Sequence, residues 1–372
     1  MARRIVFFCD WLPPDFGAVG QYAMASAQAL AADGAEVMLV GFTTGAGGDT
    51  VTELPRGRLV VRRVRRRAYD RSAWMRRAVW TLGANVALLR VAARELRACD
   101  EIRFTGSPPY MLHFVMPAAR LLGKRTRYRI TDFHPECLIA ALGREPPWAR
   151  ALRAVTEFWR RRVDVIEVLG EDQRRRIRAC GVPDERIVLV RDPSPVRFEA
   201  STRAASPPPA LRGRSIVLYS GNWGVAHDVD TFVEGFARFC ARHPDTAGAW
   251  LNSTGKRADQ VEQALVARGL PHARTQPVPL AELPGVLRAA AVHVITLSDA
   301  FVGYVLPSKV YACVASGRPV LFVGSAESDV HLVCASGLAP DRYRRVDVGD
   351  AAGVADALER LLVTEATAAA TA

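Results

Sequence analysis

FVGYVLPSKVY, residues 301–311, joins a glycine turn, a Pro-Ser-Lys sequence and the start of a predicted short helix. The Ser-Gly-Arg-Pro turn at 316–319 then leads into an apolar strand at 320–323. Pro307 fits the first turn of a helix, so Ser308 and Lys309 are predicted beside backbone N–H groups that have no partner within the helix. Because such a helix start attracts negative charge, the stretch predicts a site for a phosphorylated ligand.

Lysine is rare in this chain, and two of its positions support that interpretation. Among the 50 lysine and arginine residues the only lysines are Lys124, Lys256 and Lys309. Where arginine is the default cation, a lysine marks a position that needs a compact ammonium group. Lys256 belongs to a Ser-Thr-Gly-Lys loop that follows a predicted strand at 249–251. We therefore predict phosphate contacts from Lys309 and Lys256, with a lysine on a solvated loop as the alternative for each.

Charge is divided unequally along the chain, whose formal net charge is +12. Residues 1–198 contain 34 Lys and Arg against 21 Asp and Glu, a net charge of +13, and residues 199–372 contain 16 against 17, a net charge of −1. A basic first half favours an anionic surface, a phosphorylated substrate or nucleic acid as its partner. Aromatic residues are few and unpatterned, which argues against nucleic acid.

Cysteine spacing and hydropathy indicate a reducing compartment. The seven cysteines include no Cys-x-x-Cys pair, which argues against a zinc site and a disulfide framework. The apolar run after Met1 is short and reads as a first strand rather than a signal peptide. No stretch approaches the roughly 20 apolar residues that span a bilayer. We expect a cytoplasmic location, with the inner face of the membrane as an alternative.

Short β-type runs alternate with helical stretches, including one predicted helix at 74–97, and this alternation is typical of parallel βαβ units. A Ser-Pro-Pro-Pro segment interrupts it at 206–209. The sequence therefore predicts two doubly wound Rossmann-like domains that face each other across a cleft. The predicted boundaries are an acceptor-side domain at 1–198, a linker at 199–213, a donor domain at 214–363 and a flexible tail at 364–372.

Ligands bind at the carboxyl ends of the strands in sheets of this kind. The segments predicted at those ends carry the motifs of interest, and they are Asp10–Val19, Thr131–Glu136, Gly221–Asp228, Ser253–Arg257 and Ser298–Ser308. Glycines in such segments allow close backbone approach and positive φ angles.

With these segments in place, the chain resembles the GT-B glycosyltransferases, specifically retaining family 4 and its bacterial subset with Pro-Ser-Lys-x-Tyr. Four stretches carry the resemblance: Pro13–Gly20, Asp132-Phe133-His134-Pro135-Glu136, Tyr219–Asp228, and Pro307-Ser308-Lys309-Val310-Tyr311 with its following Gly-Arg-Pro turn. The resemblance implies transfer of a sugar from a nucleotide-sugar, with retention, to an acceptor hydroxyl. The acceptor would be a lipid-linked saccharide or a small natural product.

The resemblance also implies the site residues. The predicted donor-binding residues are Gly20, Gly221, Asn222, Trp223, Lys256, Tyr304, Pro307, Ser308, Lys309 and Tyr311. On the acceptor side, His134 is predicted to hydrogen-bond the sugar or act on the acceptor, with a structural role as the alternative. Asp132 is predicted to orient His134 or to act as a base.

No metal or other cofactor is predicted. Asp228-Val229-Asp230 resembles a metal-binding Asp-x-Asp sequence, but aspartate is also favoured where a helix begins. Lysine and backbone N–H groups are expected to stabilise the leaving diphosphate instead.

One departure from family 4 concerns two glutamates, separated by seven residues, that usually precede the Gly-x-Pro turn. Tyr304 and Ala312 occupy those positions here, and Asp299 is a substitute if the segment is longer. Two other functions therefore stay open: a nucleotide-sugar epimerase of the same architecture, and a non-catalytic partner subunit. The oligomeric state is unknown.

The strongest basic run, Arg62-Arg63-Val64-Arg65-Arg66-Arg67, is followed by Trp74 and Trp80. Basic residues beside exposed tryptophans suit an anionic membrane surface, and a lipid-linked acceptor gives such a surface a purpose. A solvated loop with an ordinary amphipathic helix is the alternative.

Overall fold

Two β-sheets, parallel except for one edge strand and with helices between most successive strands, form the framework of the chain. The computed structural model describes residues 2–15, 18–67 and 74–370. The chain divides into two units, Met1–Arg191 and Asp192–Ala372. The predicted fold class, two α/β domains built on parallel sheets, is confirmed.

The first unit contains an eight-stranded sheet in the order β3-β4-β2-β1-β5-β6-β7-β8. Its strands are β1 Arg4–Trp11, β2 Glu36–Thr43, β3 Gly48–Glu53, β4 Arg58–Arg65, β5 Glu101–Thr105, β6 Arg125–Arg129, β7 Val165–Val168 and β8 Ile187–Leu189. Its helices are α1 Ala18–Ala32, α2 Trp74–Val91, α3 Ala93–Ala98, α4 Leu112–Leu122, α5 Glu136–Leu142, α6 Pro147–Arg160 and α7 Glu171–Ala179. The pairing of β3 with β4 is antiparallel, and the other pairings are parallel.

The second unit contains a six-stranded parallel sheet in the order β11-β10-β9-β12-β13-β14. Its strands are β9 Ser215–Asn222, β10 Ala247–Thr254, β11 His272–Thr275, β12 Val292–Thr296, β13 Val320–Val323 and β14 Tyr343–Val346. Its helices are α8 Asp230–Arg242, α9 Lys256–Ala267, α10 Leu283–Arg288, α11 Lys309–Ala315, α12 Asp329–Gly337 and α13 Ala351–Ala370. In chain order this is the 3-2-1-4-5-6 arrangement of a dinucleotide-binding sheet, and its direction reverses between β9 and β12.

Helices cover both faces of the second sheet, which explains its continuous apolar strands. On β9, Val217 and Tyr219 pack into a core with α8, α9 and α13, whereas Ile216 and Leu218 pack with α10 on the other face. Successive strand residues point to opposite faces, so a strand covered on both sides is apolar at every position.

The structure differs from the sequence prediction at the sheet edges and in one helix. The predicted helix at 74–97 is two helices, because the backbone at Ala92 leaves helical geometry. β3 was missed because all six of its residues are exposed, and β11 because it is short and half-buried. An edge strand with little burial has no apolar pattern to reveal it.

The predicted linker and tail partly adopt regular structure. Leu211 is buried with Val196 against the second sheet, and the N–H of Ala205 bonds the carbonyl of Gly285 at 2.9 Å. α13 continues to Ala370. The domain boundaries and the flexibility of the tail stay predictions.

Gly20 permits the close approach of α1 to the end of β1. A Cβ atom at Gly20 would lie 1.8 Å from the carbonyl oxygen of Trp11. That distance is far inside van der Waals contact, and the obstacle is backbone, which cannot rotate away. The structure therefore gives Gly20 a packing role. Its predicted contact with the donor remains a prediction.

We expect Gly20→Ala to lower the free energy of unfolding by about 2 kcal/mol or more, because the new methyl group overpacks the β1–α1 junction. Urea unfolding followed by circular dichroism measures this. Gln28→Ala, an exposed position on the same helix, is the control and should be nearly neutral. Equal midpoints for the two variants would contradict the close approach.

Candidate functional site

The reversal point of the second sheet brings Gly221 and Lys309 together. Gly221 lies near the carboxyl end of β9, and Lys309 begins α11 after the segment that follows β12. The Nζ atom of Lys309 is 3.4 Å from the centroid of the Tyr219 ring. A Cβ atom at Gly221 would lie 3.5 Å from Cε of Lys309. Two predicted site residues, 88 positions apart, are therefore neighbours.

Gly221 has a φ of +121°, a region that side chains with a Cβ rarely adopt. Glycine at this position leaves the backbone beside the Lys309 side chain uncovered. The end of β9 therefore lies next to a lysine ammonium.

The ammonium group of Lys309 is shielded from solvent without a hydrogen-bond acceptor. Its Nζ is among the buried polar atoms that have no hydrogen-bond partner within the described residues. Loss of hydration lowers the pKa of Lys309 to about 7. Contact with the Tyr219 ring compensates only in part, because a cation–π contact is worth about 0.5–2 kcal/mol. An anionic ligand would supply the missing acceptor.

Two further segments pack around the end of β9. The N–H of Trp223 donates to the carbonyl of Thr254 at 2.8 Å, which joins the segments after β9 and β10. Gly255 has a φ of +109°, and a Cβ there would lie 2.7 Å from the carbonyl oxygen of Trp223, so glycine is required for this approach. Asn222 is exposed at the surface of this junction. The side chain of Lys256 lies outside the described part of the structure.

Trp223 is a core residue. Its indole is fully buried, stacks on Tyr219 at a centroid distance of 3.6 Å, and donates from Nε1 to the carbonyl of Asp228 at 3.2 Å. The Trp223 side chain therefore packs in the core against Tyr219 of β9. The predicted contact of Trp223 with the donor stays a prediction.

The Pro-Ser-Lys segment places its remaining predicted residues at different depths. Pro307 and Tyr311 are buried, whereas Tyr304 and Ser308 are half-buried. The side chain of Ser308 makes no capping hydrogen bond to α11, which has seven residues. The predicted phosphate site therefore depends more on the Lys309 side chain than on the start of this helix.

His227 is a feature of this site that the sequence analysis did not single out. Its Nδ1 lies 2.5 Å from the carbonyl oxygen of Thr296, at the end of β12. Burial, followed by the positive charge of Lys309, lowers its pKa to about 3. His227 is thus a neutral residue that ties the segment after β9 to β12. No pattern in the sequence around His227 indicates this role.

Asp228 performs the helix-start function that was the alternative to metal binding. Its Oδ2 accepts a hydrogen bond from the N–H of Thr231 at 3.1 Å, in the first turn of α8. Among residues 2–15, 18–67 and 74–370, no group of three or more His, Cys, Asp or Glu residues is arranged to hold a metal ion.

A carboxylate pair lies at the corresponding edge of the first sheet. Asp10, near the end of β1, accepts a hydrogen bond from the Ser107 hydroxyl at 2.5 Å. Asp132, after β6, is exposed, and the protein that surrounds its carboxyl removes only part of its hydration. That loss, followed by the charge of Asp10, raises the pKa of Asp132 to about 6. Burial also raises the pKa of Asp10. Sequence reasoning missed Asp10, although an acid that ends an apolar first strand is a usable signal.

The loop that carries Asp132 and His134 is held by a buried ion pair. Arg160 of α6 donates to both carboxylate oxygens of Glu136, at 3.0 Å for Oε2, and to the carbonyl of His134 at 3.2 Å. Burial opposes ionisation of Glu136, but the charge and hydrogen bonds of Arg160 outweigh it and hold the Glu136 pKa below its usual value. The His134 ring lies 5.7 Å from that of Tyr110.

The basic run at 62–67 is partly committed to internal contacts. Arg62 pairs with Asp49 at 2.8 Å and Glu95 at 3.0 Å. The Arg66 guanidinium lies 4.9 Å from the Trp80 ring, and Trp80 stacks against Trp11. Residues 68–73 and the Trp74 side chain lie outside the described structure. The prediction of exposed tryptophans is wrong for Trp80, which is half-buried.

No helix among the described residues is long and apolar enough to cross a membrane. No family model and no curated protein matches the chain. Solved structures do match it over nearly its full length. A sucrose-phosphate synthase from Thermosynechococcus elongatus is 15% identical with a TM-score of 0.67, covering 98% of this chain and 90% of that one.

Two further structures show the same likeness. A UDP-forming alpha,alpha-trehalose-phosphate synthase from Burkholderia vietnamiensis is 16% identical with a TM-score of 0.63, covering 97% of this chain and 92% of its own. An Anabaena protein in complex with UDP and glucose is 11% identical with a TM-score of 0.64, covering 98% and 90%. The chain therefore has the GT-B fold of glycosyltransferases. Identities this low establish the fold alone.

We expect Glu136→Gln to destabilise the first unit by about 3–5 kcal/mol at neutral pH, because it leaves the Arg160 charge buried without a counter-charge. A carboxyl with a lowered folded pKa contributes stability that is complete above its unfolded pKa of about 4.3 and is lost as pH falls through the folded pKa. The gap between wild type and variant should therefore shrink in acid.

Urea unfolding as a function of pH measures this gap. Glu157→Gln is the control, since Glu157 is more exposed and lies 3.9 Å from its arginine partners. A pH-independent gap between wild type and Glu136→Gln would rule out an ionised pair.

Proposed function

We propose that the chain is a glycosyltransferase that moves a sugar from a nucleoside-diphosphate sugar to an acceptor hydroxyl. The observation that carries this proposal is the Lys309 ammonium, which is shielded from solvent, has no hydrogen-bond acceptor within the described residues and lies beside Gly221. A leaving nucleoside diphosphate would be the anion that Lys309 meets. The UDP named for two of the similar structures supports the same class of donor.

The second unit would stabilise the departing diphosphate. As the bond between the sugar and the β-phosphate breaks, negative charge develops on the phosphate oxygens, and fixed positive groups lower the barrier when they face that charge. Lys309 would supply the ammonium, and N–H groups of the segment that follows Gly221 would supply the dipoles. We propose that this arrangement needs no metal ion.

The first unit would activate the acceptor. Asp132 is our proposed base, which takes the proton of the acceptor hydroxyl as the new glycosidic bond forms. A pKa of about 6 suits this task, because the group is ionised at neutral pH and still basic enough to accept a proton. Asp10 would tune Asp132 through its charge, and His134 would bind a hydroxyl of the sugar or acceptor.

The finer parts of the proposal come from the resemblance. They are membership in the family-4-like Pro-Ser-Lys-x-Tyr subset, retention at the transferred carbon, and an acceptor that is a lipid-linked saccharide or a small natural product. We place the protein in the cytoplasm or on the inner face of the membrane. A product-forming assay over a panel of nucleotide-sugars, with nuclear magnetic resonance of the product linkage, tests donor and stereochemistry together.

A non-catalytic partner subunit is the second candidate, favoured by Tyr304 and Ala312 at the positions of the usual glutamates. Such a subunit would bind nucleoside diphosphate and form no product with any donor. An epimerase would convert the donor itself without an acceptor. The same assay with the acceptor omitted separates the three functions.

We expect Lys309→Ala to weaken nucleoside-diphosphate binding by about 1.5–3 kcal/mol, the scale of a hydrogen bond to a charged group. Since the free ammonium has a pKa of about 7 and a bound anion raises it, binding should take up a proton, and affinity should fall as pH rises above 7. Calorimetry with UDP and GDP, with EDTA present, measures both effects.

Lys124→Ala is the matched control, because it removes a lysine of the first unit. Unchanged affinity in Lys309→Ala would remove this residue from the donor site. Binding that depends on added magnesium would contradict the metal-free proposal.

We expect Asp132→Asn to abolish transfer while leaving nucleoside-diphosphate binding unchanged, because Asp132 lies in the first unit and Lys309 in the second. In wild type, kcat/KM should fall with acid around pH 6, as Asp132 becomes protonated. Asp10→Asn should move this fall to lower pH, since it removes a negative charge that raises the Asp132 pKa. If kcat/KM of Asp10→Asn falls at the same pH as that of wild type, the charge of Asp10 does not set the pKa of Asp132.

A further inference from the structure

Helix α6 presents an apolar stripe to solvent. Trp148, Val155 and Phe158 are 55%, 48% and 40% exposed, and Ala151 between them is exposed too. Their spacing of three, four and three residues places them on one face of the helix. Single exposed apolar residues are common, but a run of large ones along one helix face marks an interaction surface.

The opposite face of α6 is already used for packing. Ala149, Thr156 and Arg160 are buried. The Thr156 hydroxyl lies 3.0 Å from Nε2 of His113 in α4. Arg160 holds the Glu136 loop. The stripe therefore does not belong to the core of the first unit.

Basic side chains surround this stripe. Between residues 144 and 162, leaving aside the buried Arg160, the chain contains five arginines and two glutamates. Glu145 lies 3.0 Å from Arg153, and Glu157 lies 3.9 Å from Arg153 and from Arg161. Arg144 is exposed, and the Arg150 side chain is 70% exposed, with its Nε 3.7 Å from Glu145. The excess charge at this face is therefore positive.

The aromatic edge of the stripe shows the same combination. The guanidinium of Arg162 lies 3.5 Å from the centroid of the Phe158 ring, and Trp159 packs edge-on against that ring at 5.0 Å. An arginine at the rim of an aromatic surface can meet a phosphate group while the rings enter an apolar layer.

We propose that this α6 face docks on the surface of a bilayer that contains anionic phospholipid. Trp148, Val155 and Phe158 enter the boundary between headgroups and acyl chains, and Arg144 and Arg150 contact the headgroup phosphates. A second copy of the chain is a poorer occupant, because it would bring the same positive charge to the contact. We propose this face instead of the basic run at 62–67, which the sequence predicted as the membrane surface, because Arg62 and Arg66 make contacts within the protein. The proposal goes beyond sugar transfer and does not depend on it.

Vesicle co-sedimentation at low salt tests the docking with phosphatidylcholine alone and with added phosphatidylglycerol. Wild type should bind only the anionic vesicles. The variant Trp148→Ser/Val155→Ser/Phe158→Ser should bind at least about tenfold more weakly, through lost apolar burial. Arg144→Ser/Arg150→Ser should lose about fivefold per arginine, and this loss should shrink as salt rises.

Matched controls separate this face from other exposed groups. Arg65→Ser/Arg67→Ser removes two exposed arginines of the earlier run, and Val266→Ser/Leu332→Ser removes exposed apolar residues of the second unit. Both should bind vesicles like wild type. Lys309→Ala should do so too, which keeps failure of the docking distinct from failure of the proposed transferase.

Brominated lipid gives a direct readout of insertion. It should quench part of the wild-type tryptophan fluorescence, and that part should be absent in Trp148→Phe. Wild type that stays in the supernatant with anionic vesicles would overturn the proposal. Equal loss in Arg65→Ser/Arg67→Ser would overturn the choice of surface. A dimer in sedimentation velocity that Trp148→Ser dissociates would assign the face to a second copy instead.

Discussion

A lysine ammonium that has no hydrogen-bond acceptor in the described part of the chain is the constraint on which the second unit's site depends. Burying such a charge costs free energy, and the protein recovers part of it through Tyr219. The strand order makes the arrangement achievable, because β9 and β12 are adjacent and the segments after them meet. Lys309 reaches from one segment to Gly221 on the other. An anion placed there supplies what the free protein lacks.

Four titratable groups show two opposite directions of pKa shift. The pKa of Lys309 is lowered to about 7 and that of Asp132 is raised to about 6, so each is moved toward its neutral form. Glu136 and Arg160 are shifted the other way, toward charge, because each has a partner. The ion pair thus keeps both of its groups charged, whereas Lys309 and Asp132 carry the cost of desolvation.

Much of this could be predicted from the sequence, for identifiable reasons. Strands buried on both faces appear as unbroken apolar runs, and turn residues mark their ends. The two α/β domains and the proximity of Gly221 to Lys309 could therefore be predicted. Burial of the Trp223 side chain could not be predicted, because a glycine-flanked tryptophan in a loop gives no sign that Tyr219 is its stacking partner in the core. The role of Asp10 could not be predicted, because it depends on Ser107 and Asp132, which follow other strands.

Charge runs were the least reliable sequence signal, and strand geometry explains why. Arg62, Arg63 and Arg65 lie on β4, where successive side chains point to opposite faces of the sheet. A dense run along a strand is therefore divided between two faces and cannot form one basic surface. On α6 the arginines are sparser in sequence, yet a helical repeat keeps Trp148, Val155 and Phe158 on one face with arginines beside them. Periodicity, rather than local charge density, determines which residues can act together on a surface.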